Sequence, residues 1–117
     1  MNKFIGVGTL PRNGIVNGSE RQVLRFTLAT LVGRNRKAKR DLWAYVPCVV
    51  FKPSESLVRT LTENTKGVMF GLEGRVNTSK FTTRTGETKY ATEVVVDQGS
   101  IRVLMVAVGQ ESATTEA

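Results

Sequence analysis

The chain has 117 residues, with 17 Lys and Arg against 10 Asp and Glu, a formal charge of +7 and a pI near 10.1. That length fits one domain whose core needs no covalent staples, and the cation excess favours polyanionic partners such as nucleic acid. With no His and one Cys, His- or Cys-based metal sites, catalytic dyads and an intramolecular disulfide are excluded within one chain. No cofactor is implied. No apolar run approaches the roughly 20 residues of a membrane span, and Met1–Leu10 is too short and glycine-broken for a signal peptide. The lone thiol fits a reducing, cytoplasmic setting.

Lys3–Leu10 reads as a first strand, with Gly6 and Gly8 marking a sharp bend or close backbone approach. Pro11–Arg21 carries Pro11, Asn13-Gly14 and Asn17-Gly18, the chemistry of a long loop or loose hairpin. Gln22–Val32 alternates as a second strand, with Leu24, Phe26 and Leu28 on one face and Arg25 and Thr27 on the other. Leu42–Phe51 is a third. Pro47 inside it implies an edge or a bulge, and a bulge would turn Phe51 to the opposite face.

Ser54 opens the one good helix signal. It can cap, Glu55 suits the positive end, and Leu57, Val58 and Leu61 form one apolar stripe. Lys66 and Gly67 are expected to close it after about three turns. Val68–Phe81 follows as a fourth strand with Val68, Phe70, Leu72 and Val76 inward, and Thr82–Thr88 is a hairpin tip. Lys89–Asp97 returns as a fifth, in which Tyr90, Thr92 and Val94 read as an inward series, and Ser100–Val108 adds a short apolar strand. The expectation is an all-β domain over residues 1–108 with one short helix: a five-stranded Greek-key barrel of the OB type with extended β-hairpin loops. Gly109–Ala117 is expected to be a short flexible tail.

Between the second and third strands runs Gly33-Arg34-Asn35-Arg36-Lys37-Ala38-Lys39-Arg40, five of whose eight residues are cationic. The strand after it sets Trp43, Tyr45 and Phe51 against the small apolar Ala44, Val46, Cys48 and Val50 on its other face. Cys48 falls in this packing set. Rings beside dispersed cations are what an unpaired nucleic-acid strand requires, the rings for exposed bases and the cations for phosphates. Trp43, Tyr45, Phe51 and Phe81 are therefore candidate stacking residues, and core or interface packing is the competing role for each. Candidate phosphate contacts are Arg34, Arg36, Lys37, Lys39 and Arg40 in the basic run, Arg25 and Arg75 on outward strand faces, and Lys80, Arg84 and Lys89 about the second hairpin. An ordinary solvated surface is the alternative for these. Glu73 on the same face is expected to pair with Arg75. The carboxylates Glu73, Glu87, Glu93 and Asp97 form no spacing suited to metal or acid–base work, so a non-enzymatic binding protein is the reading.

Several segments also resemble a known family. Asn2–Leu10 is similar to the opening strand of bacterial-type single-stranded DNA-binding proteins, Phe26–Thr30 to their second strand and Cys48–Lys52 to their third. The firmest likeness is Leu72-Glu73-Gly74-Arg75-Val76-Asn77-Thr78-Ser79-Lys80-Phe81, continuing through Gly86 into Tyr90-Ala91-Thr92-Glu93-Val94-Val95-Val96. The resemblance spans roughly residues 2–106. It implies an OB-fold homotetramer that wraps single-stranded DNA in replication, recombination or repair, within the bacterial cytoplasm and nucleoid. By position it places Phe51 and Phe81 where the family stacks bases, and Tyr45 where members commonly carry another ring. Gly33–Arg40 holds no aromatic where some members have a stacking Trp.

The tail departs from the family pattern. Typical cellular members end in a long linker with an acidic, Phe-terminated tip that docks partners, whereas residues 109–117 contain two acids and no hydrophobic anchor. A phage- or plasmid-type minimal member and an incomplete chain both fit, and replication or recombination partners would not be reached through such a tip. Independently of family, Val103–Val108 is apolar on both faces, which predicts cover by a second copy, as a tetramer or a dimer. Two other functions remain open: a primosome-like dimeric OB scaffold of replication, and an RNA-binding cold-shock-type module.

Overall fold

The structure, a computed structural model, describes residues 1–106. In chain order it runs β1 (Phe4–Thr9), β2 (Ile15–Asn17), β3 (Val23–Asn35), β4 (Arg40–Phe51), α1 (Glu55–Thr62), β5 (Met69–Thr82), β6 (Thr88–Val96), a 3₁₀ turn (Gln98–Ser100) and β7 (Arg102–Met105). Ala107 and Val108 of the last predicted strand, and the predicted tail Gly109–Ala117, lie outside the described residues.

Five strands close a ring: β1 pairs with β3 and β5, β3 with β4, β4 with β6, and β6 with β5. All these ladders are antiparallel except β4–β6, which is parallel at Cys48–Val94 and Val49–Val95. The β1–β3 seam has the single register pair Thr9–Ala29, so the barrel is only partly closed, as in OB folds. Two glycines permit the tightest curvature. A Cβ at Gly8 would run into the Ala29 carbonyl, and one at Gly74 into the Val95 carbonyl.

Alternation fills the barrel as the pattern predicts. Leu24, Phe26 and Leu28 of β3 meet Cys48 and Val50 of β4, Phe70 and Leu72 of β5, and Val94 and Val96 of β6. Leu57 and Leu61, one helical turn apart, point from α1 into the same core. Ser54 caps this helix by accepting from the Leu57 N–H at 3.2 Å.

The helix is shorter than the three turns predicted. The Thr60 and Thr62 hydroxyls bond back to the Ser56 and Val58 carbonyls, Glu63 is already extended, and Asn64 takes a positive φ of 52°. Thr65, buried, bonds through its N–H and its hydroxyl to the Asn13 side chain. The Gly14 N–H donates to the Leu61 carbonyl at 2.6 Å. These bonds fasten the 11–21 segment to the helix end. That segment is not all loop: β2 lies within it and pairs with Val23–Arg25 of β3.

Two hairpins run past the barrel as ribbons. In the β3–β4 arm half of the basic run is ladder rather than loop: Gly33–Asn35 belongs to β3, Arg40 to β4, and residues 36–39 turn. The β5–β6 arm keeps unbroken register from Gly74–Val96 out to Thr82–Thr88. Three inward assignments fail there. Val76 is 42% exposed, Tyr90 is 68% exposed, and Thr92 is exposed as well. All three have the inward parity, but the ribbon has already left the core at their level.

Candidate nucleic-acid interface

The register of β4 decides which way its rings face. Pairing with β3 runs without a slip from Val23–Phe51 to Leu31–Trp43, and Pro47 sits opposite Thr27. The irregularity lies instead between Leu31 and Gly33. The β4–β6 ladder begins only at Cys48, so Pro47 stands on an unpaired stretch of that edge, where a missing N–H breaks no ladder bond. Trp43, Tyr45 and Phe51 therefore share one outer face, with exposures of 44%, 64% and 52%.

Neighbouring strands extend this face. Arg25 lies opposite Val49, Val49 beside Val95, and Val95 opposite Arg75. One row thus crosses four strands with an arginine at each side. Val49 is fully buried although it faces outward. The Arg25 guanidinium reaches from β3 to the Glu93 carboxylate of β6 at 2.6 Å. Phe81 and Lys89, paired across the second arm, have the same parity as Arg75 and Val95, so they continue the face outward.

Two concavities flank the rings. One, of about 650 Å³, lies by Tyr45 and is lined by Arg12, Asn13, Ile15, Arg25, Pro47 and Glu93 among others. The second, of about 780 Å³, contains Phe51 with Lys3, Glu73, Arg75 and Asp97. Glu73 pairs with Lys3 at 2.9 Å, not with Arg75 as its strand position suggested. The hydrogen bond and the charge of Glu73 together raise the Lys3 pKa above its ordinary value. Arg75 is left without an ion-pair partner among the described residues.

In the first arm the Asn35 side chain accepts from the Lys37 and Ala38 N–H groups at 3.1 and 3.0 Å, and Lys39 takes a positive φ of 52°. That Asx turn holds four cationic side chains outward at the tip. Among the described residues Arg34 alone of the run has an ion-pair partner, Asp41 at 3.5 Å. In the second arm Lys80, Arg84 and Lys89 are exposed, and the tip turns at Gly86 with φ 86°.

The structure thus brings Trp43, Tyr45, Phe51, Arg25 and Arg75 onto one sheet face, with Phe81 and Lys89 on its outward continuation. Arg36, Lys37, Lys39 and Arg40 sit apart at the first arm's tip, and Arg84 at the second's. Sequence reasoning missed Arg12, which reaches the Tyr45 groove from among turn residues and carries no periodic signal. It also missed the exposure of Tyr90. Cys48 is buried, and desolvation pushes its thiol up to about 12, which makes it inert packing. Among the described residues no cluster of Cys, Asp and Glu could hold a metal ion, and no helix is long and apolar enough to cross a membrane.

The structure defines a small OB barrel with an open aromatic face and cationic ribbons. The chain belongs to the single-strand binding protein family, whose model matches residues 1–104. It is 31% identical over 101 residues to the single-stranded DNA-binding protein of Oceanobacillus iheyensis, covering 83% of this chain and 60% of that protein. Single-stranded DNA-binding protein 3 of Clostridium acetobutylicum is 31% identical over 102 residues, covering 84% and 68%. The chain therefore spans about 60% of the length of the first relative. The fold matches a crystal structure of mitochondrial single-stranded DNA binding proteins from S. cerevisiae, with TM-score 0.63, 20% identity, and coverage of 90% of this chain and 96% of that one.

Proposed function

We propose that this chain binds single-stranded DNA with little base specificity, coating and protecting it during replication, recombination or repair, without catalysing a reaction. The observation that carries this reading is the outer face of β4, where Trp43, Tyr45 and Phe51 stand open to solvent along the strand that the row from Arg25 to Arg75 crosses. Each base stacked on a ring contributes ~1–3 kcal/mol, and every base offers a π-face, so such a surface binds strongly without reading sequence. Phosphates would be met by Arg25, Arg75 and the two arms, through Arg34, Arg36, Lys37, Lys39 and Arg40 on one, and Lys80, Arg84 and Lys89 on the other. The bacterial cytoplasm, where single strands arise and a lone thiol stays reduced, is the setting we assign. Competition between a labelled dT oligomer and equal lengths of unlabelled single strand or duplex tests the function. Single strand should compete far better, and equal or better competition by duplex refutes the reading.

Self-association belongs to the same proposal, as a homotetramer. Ile5 and Val7 on β1 and Val103, Leu104 and Met105 on β7 are 46–70% exposed, and both strands border β5. Exposed apolar side chains gathered on two strands of a basic domain call for cover. Light scattering at micromolar concentration should give about four times 12.9 kDa. A stable monomer defeats the assembly claim, and a clean dimer favours a primosome-like scaffold.

A further inference from the structure

The β5–β6 arm is a two-stranded ribbon with two open faces, and the rings assigned above to base stacking use only one. On that face Phe81, 46% exposed, sits directly opposite Lys89. One residue back along the ladder, Lys80 sits directly opposite Tyr90, which is 68% exposed. Because side chains alternate across a ribbon, this second pair points to the other side. Each face thus carries one ring and one lysine in cross-strand register. The second face continues inward through Thr78 and Thr92, whose hydroxyls lie 3.0 Å apart, to Val76, 42% exposed. Neither Lys80 nor Lys89 has an ion-pair partner among the described residues.

We propose that the Tyr90–Lys80 face is a second single-strand track, so that the arm holds a separate nucleic-acid segment on each of its sides. The inference rests on the single-strand reading above and adds to it a surface, a ring and a topology. A solvent-exposed tyrosine contributes little to a fold, yet a ring with an adjacent ammonium is the minimal unit for one nucleotide: stacking for the base, charge for its phosphate. Here that unit occurs twice, back to back, on an element only two strands wide. A strand leaving the Phe81 side can turn round the ribbon's edge or tip, past Arg84, and meet an equivalent seat on the other side. The occupant is single-stranded nucleic acid rather than an acidic protein, because the face offers a flat aromatic plane beside isolated cations and no deep apolar cleft.

The test compares Tyr90→Ala, Tyr90→Phe and Phe81→Ala with the unaltered protein, using poly(dT) titrations for affinity and for nucleotides occluded per protomer, with mass and melting temperature measured alongside. Tyr90→Ala should weaken binding about 5-fold or more, the low end of one stacked base, and shorten the occluded length. Tyr90→Phe should keep both, and all variants should keep mass and fold. Lys80→Gln should lower the log–log salt slope by about 0.7, one phosphate contact on a single strand. If Phe81→Ala weakens binding while Tyr90→Ala changes neither affinity nor occluded length, the second track is refuted and the single-strand reading stands. If Tyr90→Ala changes the oligomeric mass, the face is a contact between copies and the proposal is overturned. If the unaltered protein does not prefer single strands, the underlying reading fails first.

Discussion

Replacing Phe51 by Ala separates a binding ring from a core ring by magnitude alone. A fully buried Phe truncated to Ala costs ~3–5 kcal/mol of stability, part of it from the cavity left behind. Phe51 is 52% exposed, so about half that transfer is at stake, and an open site leaves no sealed cavity. The expected loss is therefore about 1–2 kcal/mol, a fall in melting temperature of about 4–10 °C for a domain of this size. Its loss in binding should be that of one stacked base, ~1–3 kcal/mol, or roughly 5- to 150-fold in Kd. Phe81, 46% exposed on an arm, should lose as much affinity with a smaller thermal shift. The assay is a thermal melt of each variant beside a dT-oligomer titration of the folded protein. A fall of more than about 15 °C with unchanged affinity in the surviving folded protein would refute the stacking role and return the ring to structure.

Neutralising Arg34, Arg36, Lys37, Lys39 and Arg40 together should flatten the salt dependence of binding. If the run supplies three phosphate contacts the log–log slope falls by roughly two, and an unchanged slope means an ordinary solvated turn. Glu93→Gln releases Arg25 from its 2.6 Å partner and removes a negative charge from the face. Affinity should rise and the slope steepen by about 0.7, and weaker binding at unaltered stability contradicts Arg25 as a phosphate contact. Cys48 should resist thiol reagents at pH 8 until the protein unfolds, because its pKa is raised to about 12. Because burial penalises the thiolate and not the neutral thiol, Cys48 leaves stability unaffected below the ordinary thiol value of 9.0 and lowers it as pH climbs towards 12. Rapid labelling of the native protein contradicts the burial.

The barrel was legible because its strands alternate over a buried core: Leu24, Phe26 and Leu28 mark the inner face of β3 without help from any distant residue. The ribbons were not, since beyond Thr30 and Val94 nothing is buried and polar ladder looks like loop. Parity and burial came apart at the same level. Tyr90 has the inward parity of Val94 but lies four residues nearer the tip, where no core remains for it to meet. Glu73 found Lys3, 70 positions away, because β1 lies beside β5 in the ring, whereas local reasoning could offer only Arg75. The helix ends early where Glu63 turns extended and the Asn13–Thr65 tie holds the residues that follow, a tertiary contact between segments that look unrelated. The aromatic face itself was readable from spacing in β4, but its security depended on Pro47 causing no slip, which only the unbroken register of β4 against β3 settles.

Trp43 is the chain's one tryptophan and stands at the end of the proposed stacking face, so its fluorescence reports directly on occupancy. Titrating the protein with poly(dT) at low salt should quench that emission in proportion to strand added, break sharply at saturation, and recover as salt releases the strand. Equal lengths of duplex should leave it nearly unchanged. Emission indifferent to poly(dT) in a protein that nonetheless binds it would place the strand elsewhere and contradict the assignment of the β4 face.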